Sequence, residues 1–213
     1  SDCMMRLKFN PVDGVCRICG RRAAGFEGEF LCEECRLKRP AFDRAAASLD
    51  FDDDTKKIVH AFKSKCAVYL RGDICDIVEG MLRTRFKTDL ITAVTSVPLT
   101  LPHRFLRGYD QCAMMAKELA RRINKPYVRL LKRQGFPKRQ AGLSEEERIE
   151  NVKGTFAVCR SFLRRLEDAP NSTVLVIDDV MTTSSTLNEC AKTLKDAGVG
   201  TVWTATLAAT HKD

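Results

Sequence analysis

The spacing of apolar residues along the chain changes near residue 90. Before it, Thr55 to Phe62 reads as a short helix with Ile58, Val59 and Phe62 on one side, and a second helix is predicted over about 66–83. After it, strand-type and helix-type patterns alternate. Leu90 to Val97 is rich in β-branched residues and stops at Pro98, as a buried strand does. Asp110 suits an N-cap, and Cys112, Met115, Ala116, Leu119, Ala120 and Ile123 recur at three- and four-residue intervals, which predicts a helix ending before Pro126. Strand candidates follow at 127–131 and 155–159, with a highly charged segment between them. Val174-Leu175-Val176-Ile177 is apolar throughout and predicts a strand covered on both faces. Leu187, Cys190, Ala191 and Leu194 mark one face of a further helix closed by Gly198, and 201–207 is the last strand.

Strands alternating with helices predict an α/β fold with a parallel sheet and right-handed crossovers. The stretch up to residue 50 shows no clear period after its cysteines, so a boundary is expected there. It divides a small module, 1–50, from an α/β domain, 51–213. With 213 residues and 44% hydrophobic side chains, a real core is expected. No apolar run approaches the roughly 18 residues of a membrane span, and no export leader is visible. A cytoplasmic protein is therefore expected, with no membrane insertion, and its ten cysteines are expected to bind metal or to be buried rather than to form disulfides.

The most informative unit is Val174 through Thr186, where a buried strand meets Asp178, Asp179 and then Thr182, Thr183, Ser184, Ser185 and Thr186 ahead of a helix. Backbone N–H groups and the positive end of a helix dipole, joined by hydroxyl donors, hold a terminal phosphate. Two adjacent carboxylates can accept hydrogen bonds from neighbouring ribose hydroxyls. The pattern fits a sugar phosphate. The plainer reading is a capped helix with acidic turn residues, but an acid pair and five hydroxyl-region positions exceed what a cap requires.

Cys16-Arg17-Ile18-Cys19 and Cys32-Glu33-Glu34-Cys35 are two Cys-x-x-Cys knuckles separated by twelve residues. Four thiolates at this spacing suit a closed, structural Zn²⁺ site of the zinc-ribbon kind. Redox pairs and an iron–sulfur cluster are the other readings. Gly14 and Gly20 flank the first knuckle and permit tight turns. Cys112 and the other scattered cysteines read as small apolar fillers.

Net charge is +8, and residues 101–140 carry eleven Lys and Arg against two acids. That stretch attracts polyanions, either a phosphate ester or a nucleic acid, or is simply a solvated basic surface. The cysteine module is nearly neutral and lacks the basic character of a nucleic-acid clamp.

The segment around Asp178 and Asp179 resembles the 5-phosphoribosyl-1-pyrophosphate (PRPP) motif of type I phosphoribosyltransferases. Ser184 stands where that family usually has glycine. Ser96-Val97-Pro98-Leu99, Arg107-Gly108-Tyr109-Asp110-Gln111, the run Gln140-Ala141-Gly142-Leu143-Ser144 through Arg148, Asn151, Gly154 and Phe156, and the tandem cysteine pairs extend the likeness. Over roughly 16–207 the chain resembles the ComF family of competence-associated proteins. This resemblance implies a type I phosphoribosyltransferase-like sheet flanked by helices and an Mg²⁺-PRPP ligand. Asp178 and Asp179 would lie on the ribose, Thr182 to Thr186 around the 5-phosphate, and Arg107-Gly108 at the pyrophosphate. It also implies a basic hood drawn from Lys132, Arg133, Lys138 and Arg139, with Lys132 a catalytic candidate but the choice among the four open, and leaves the acceptor base open. The implied setting is DNA uptake in natural transformation, with single-stranded DNA, other competence or recombination proteins and a second copy as further partners. The competing expectation is a non-catalytic single-stranded-DNA binder that uses the 101–140 face.

Overall fold

The computed structural model describes residues 6–23, 25–64, 67–99, 108–134, 145–159 and 171–210. In chain order it forms strands β1 (Val15–Cys16) and β2 (Glu29–Phe30), helix α1 (Glu33–Leu37), strand β3 (Arg44–Asp50) and helices α2 (Asp53–Ser64) and α3 (Arg71–Arg85). Strand β4 (Ala93–Ser96), helix α4 (Gln111–Arg122), strand β5 (Leu131–Arg133), helix α5 (Glu145–Val152) and strand β6 (Phe156–Val158) follow. Strand β7 (Thr173–Met181), helix α6 (Ser185–Asp196) and strand β8 (Thr201–Ala209) complete it.

The central sheet has the order β3-β8-β7-β4, and every pairing in it is parallel. Alternation along β7 explains its unbroken hydrophobicity. Val174 and Val176 pack with Leu187, Cys190 and Leu194 of α6, whereas Leu175 and Ile177 pack with Val78 and Leu82 of α3 and Met115 and Leu119 of α4. Covered on both faces, the sheet is the parallel α/β architecture that the alternating pattern predicts. The Asp110 carboxylate accepts from the Ala113 N–H at 2.9 Å and fixes the start of α4. Gly198, at φ +94°, turns the chain out of α6.

Among the differences from the sequence-based reading, three bear on the strands. Residues 44–50, which show no period, form β3 and pair with β8, so the sheet reaches back across the boundary drawn at residue 50. Ala45, Ala46, Ala47 and Ser48 are small and all buried, and a strand covered on both faces need not alternate. The strand expected at 174–177 continues to Met181 because β8 keeps pairing with it, Asp178 to Thr206 and Met181 to Ala209. In place of a strand over 127–131, Tyr127 makes a single parallel bridge to Val94, and β5 then pairs antiparallel with β6 outside the main sheet.

The cysteine module is joined to this sheet. Cys16, Ile18, Cys32, Cys35 and Phe42 share one apolar cluster with Met181 and Leu187, and the Ala45 N–H donates to Ile18 O at 2.6 Å. Gly20, at φ +72°, passes so close to the sheet that a Cβ there would lie 3.0 Å from Ala45 O. Among the described residues, no helix is long and apolar enough to cross a membrane.

Candidate phosphate loop and cysteine centre

Successive side chains of a strand diverge, so Asp178 and Asp179 meet different neighbours at the end of β7. Asp179 is buried. Its Oδ1 lies 2.8 Å from Lys63 Nζ at the end of α2, and its Oδ2 accepts from Gln111 Nε2 at 3.1 Å. Asp178 is half-buried, and its Oδ1 accepts from the Cys112 thiol at 3.2 Å and from the Asp179 N–H at 2.9 Å.

Desolvation, and then the neighbouring Asp179 charge, push the Asp178 carboxyl up to about 7. Lys63 is shifted upward. Burial opposes its charge, but Asp179 outweighs that and keeps the ammonium protonated. Burial raises the Cys112 thiol well above its ordinary value, which keeps it a proton donor to Asp178 rather than a thiolate. The pair of acids expected on the ribose is thus asymmetric: both oxygens of Asp179 are engaged by protein, and Asp178 is the more accessible partner. Nothing in the local sequence marks Lys63, Gln111 or Cys112 as a site residue, and Cys112, whose spacing suits an apolar filler, is a hydrogen-bond donor here.

Beyond β7, Thr182 is exposed and Thr183 to Thr186 are half-buried. Ser184 adopts φ +56° and ψ −1° and precedes the first turn of α6 without a side-chain cap, while the Thr183 and Ser185 hydroxyls are 2.8 Å apart. The left-handed backbone that favours glycine is therefore present with serine in place. Relieving its steric cost, ~1 kcal/mol, against the greater flexibility of unfolded glycine leaves a net gain of about 0.5 kcal/mol for Ser184→Gly. A higher urea midpoint is the expected result; a lower one would show that the serine side chain stabilises the turn.

Gly108 has φ +72°, consistent with a turn just before α4. Arg107, Lys138 and Arg139 lie outside the described residues. Of the other two basic candidates, Lys132 is exposed, while Arg133 is half-buried with its guanidinium 5.0 Å from the Phe156 ring centre. Burial lowers the Arg133 pKa, only partly opposed by Cys190 and Asp178, and Arg133 Nε is buried without a hydrogen-bond partner.

The sulfur atoms of Cys16, Cys19, Cys32 and Cys35 all lie within 4.8 Å of one another. Backbone N–H groups support them, Cys32 N donating to Cys16 Sγ at 3.4 Å and Cys35 N to Cys32 Sγ at 3.5 Å. Hydrogen bonding lowers the Cys16 thiol to about 4, the same contact raises Cys19, and burial pushes Cys35 up to about 12. Only a cation between them would let four sulfurs packed this closely all ionise. The sulfur-only, largely buried donor set fits a metal such as Zn²⁺. A cleft of about 90 Å³ separates this centre from the phosphate loop, lined by Arg21, Glu34 and Lys38 on one side and Thr182, Thr183 and Ser184 on the other.

Comparison with known proteins agrees with this geometry. Residues 110–213 match the family described as phosphoribosyl transferase domain. The matched stretch, which includes the acid pair and the hydroxyl turn, is thus similar to a phosphoribosyl transferase domain, and a four-cysteine cluster precedes it.

Over 206 residues the chain is 27% identical to competence protein F of Haemophilus influenzae, covering 93% of this chain and 85% of that protein. It is 25% identical over 212 residues to the DNA utilization protein YhgH of Escherichia coli, covering 89% and 87%. The corresponding Salmonella typhimurium protein is 26% identical over 193 residues, covering 88% and 81%. The chain is ComF-like.

Proposed function

We propose that this chain binds Mg²⁺-PRPP at the β7–α6 turn and serves DNA uptake or utilisation, with phosphoribosyl transfer to an acceptor base as the reaction the site is built to support. The carrying observation is the half-buried Asp178 beside a turn whose left-handed Ser184 opens the N-terminus of a twelve-residue helix. In this reading Asp178 accepts a ribose hydroxyl. Asp179 acts through Lys63 and Gln111 to set the charge of the pocket, and Thr182 to Thr186 surround the 5-phosphate. Arg133, together with Arg107-Gly108 by resemblance, stabilises the departing pyrophosphate.

Mg²⁺, when bound with PRPP, neutralises charge on the pyrophosphate oxygens. Asp178 is the carboxylate best placed to approach it, since Lys63 already compensates Asp179. Transfer breaks the bond between the anomeric carbon and a pyrophosphate oxygen. The electron pair leaves with pyrophosphate, and an acceptor nitrogen forms the new bond. The DNA-related role rests on the printed names of the relatives, competence protein F and DNA utilization protein.

One feature of α4 supports this reading over a purely DNA-binding one. Within the basic stretch, Arg122 is held by Asp76, Glu79 and Glu118, and Arg121 by Glu118, so both arginines of α4 are paired locally. Calorimetric titration of the whole chain with Mg²⁺-PRPP is expected to give one saturable site that competes with pyrophosphate. If single-stranded DNA gave heat and Mg²⁺-PRPP none, the PRPP reading would be wrong. An assay of pyrophosphate release across a panel of bases tests the transfer step separately.

A further inference from the structure

A second cavity, of about 480 Å³, lies at the β3 edge of the sheet, with β8 between its strand and β7. Its apolar walls include Ala46 and Ala47 from β3 and Ile77 and Met81 from α3, and Phe9 and Val12 stand at its rim, about half exposed. Its volume is in the range of small-ligand pockets.

Three features mark it as more than a packing defect. First, Ser48 lines it with the side-chain oxygen buried and without a hydrogen-bond partner. Second, Arg85 lines it with its side chain 7% exposed; Nη1 is satisfied by Val12 O at 2.7 Å and Glu29 at 3.2 Å, but Nη2 has no partner. Buried donors left unpaired are costly, and a ligand supplying an acceptor would remove that cost. Third, Gly80 stands inside helix α3 and lines the cavity, yet an added Cβ there would meet nothing within 4 Å. Glycine weakens a helix interior, and here no neighbour requires it. What it does is leave the space open.

We propose that this cavity is a binding site for a small amphipathic molecule whose apolar body lies between β3 and α3 and whose hydrogen-bond-accepting head, a carboxylate or an amide carbonyl, meets Arg85 and Ser48. Both unpartnered groups can donate, so the head must accept. Glu29 is shared by Arg44 and Arg85, at 2.7 and 3.2 Å, so one carboxylate only partly offsets the two guanidiniums, and the site can take a neutral carbonyl or an anion. The site is independent of the phosphate loop.

The test is calorimetry and saturation-transfer NMR on the full chain with octanoate, octanamide and octylamine. Octanoate or octanamide is expected to saturate one site, with octylamine, whose head donates, about tenfold weaker. Comparing the first two shows whether the head's charge contributes. Gly80→Leu, which adds a good helix former and fills the cavity, is expected to keep the unfolding midpoint at or above that of the unmodified chain and to weaken both acceptor probes at least about tenfold. Ser48→Ala, which leaves Arg85 and its tie to Val12 intact, should weaken them less. Absence of saturation by both acceptor probes, equal binding of octylamine, or unchanged binding in Gly80→Leu would each overturn the proposal. So would a concentration-dependent dimer abolished by Gly80→Leu, which would assign the cavity to a second copy of the chain.

Discussion

Asp178→Asn is expected to weaken Mg²⁺-PRPP binding roughly tenfold while leaving the fold at pH 8 more stable than the unmodified protein. A hydrogen bond from a ligand hydroxyl to an ionised carboxylate contributes ~1.5–3 kcal/mol, and an amide in its place keeps only part of that. The stability effect has the opposite sign because the charge on Asp178 is unfavourable without ligand. Its folded-state value of about 7 lies above the ordinary 3.8, so between these limits the folded chain holds a proton that the unfolded chain has released. This group's contribution is therefore fully present below about pH 4 and is lost as pH rises through 7. Solvent at a half-buried carboxylate screens part of the penalty, leaving roughly 2 kcal/mol that the neutral amide would recover.

Asp179→Asn should do the reverse. It strips Lys63 of the carboxylate 2.8 Å away and leaves a largely buried ammonium unpaired, at a cost of about 2–3 kcal/mol. Urea unfolding of both variants at pH 5 and pH 8, paired with calorimetry, checks the contrast. Equal affinity for Mg²⁺-PRPP in Asp178→Asn would remove this residue from the ribose site. Equal stability changes in the two variants would contradict the asymmetry of the acid pair.

That asymmetry marks the limit of what the sequence disclosed. The turn itself was legible because its parts are contiguous: a both-faces-buried strand, two acids, a run of hydroxyls and an amphipathic helix occur in order, and each has a local signature. The two cysteine knuckles were legible for the same reason. Lys63 was not, because its charge is explained only by an acid contributed by a strand far along the chain, and nothing in the local pattern of α2 distinguishes it from a solvent-facing lysine. Cys112 falls on the apolar face of α4, so its period describes its burial and conceals its thiol bond to Asp178. β3 escaped detection because small residues covered on both faces show neither alternation nor bulk. The charge excess at 101–140 is real in composition, but three carboxylates around Arg122 spend much of the contribution from α4 locally.

The same long-range logic ties the cysteine centre to the candidate phosphate turn. Cys16, Cys32 and Cys35 pack in one apolar cluster with Met181, which ends β7, and Leu187, which lies in the first turn of α6. The Ala41 N–H donates to Asn188 Oδ1 at 2.7 Å, so the chain leaving the second knuckle also grips α6 directly. A metal at the four sulfurs would thus buttress, from behind and without touching it, the helix whose N-terminus borders the proposed phosphate site.

Metal removal is therefore expected to act on both stability and ligand binding. Without the cation the four thiols must reprotonate in place or separate, and reprotonation leaves sulfurs at close quarters, such as Cys19 and Cys32 at 3.7 Å, with no ion between them. For a chain of this size, a loss of about 4 kcal/mol corresponds to a fall of ~10 °C in melting temperature. Cys32→Ser with Cys35→Ser, or chelation of the native protein, should produce a fall of that order, together with loss of one equivalent of metal by elemental analysis. Mg²⁺-PRPP affinity should fall with it, because the β7–α6 turn loses its backing. The chelation arm must be read after the chelator has been removed, so that Mg²⁺ depletion does not imitate the effect. A chain that gives up one metal equivalent yet keeps its melting temperature would show that the centre does not support the fold. Loss of stability with PRPP affinity intact would show instead that the packing of the module against α6 does not reach the phosphate turn.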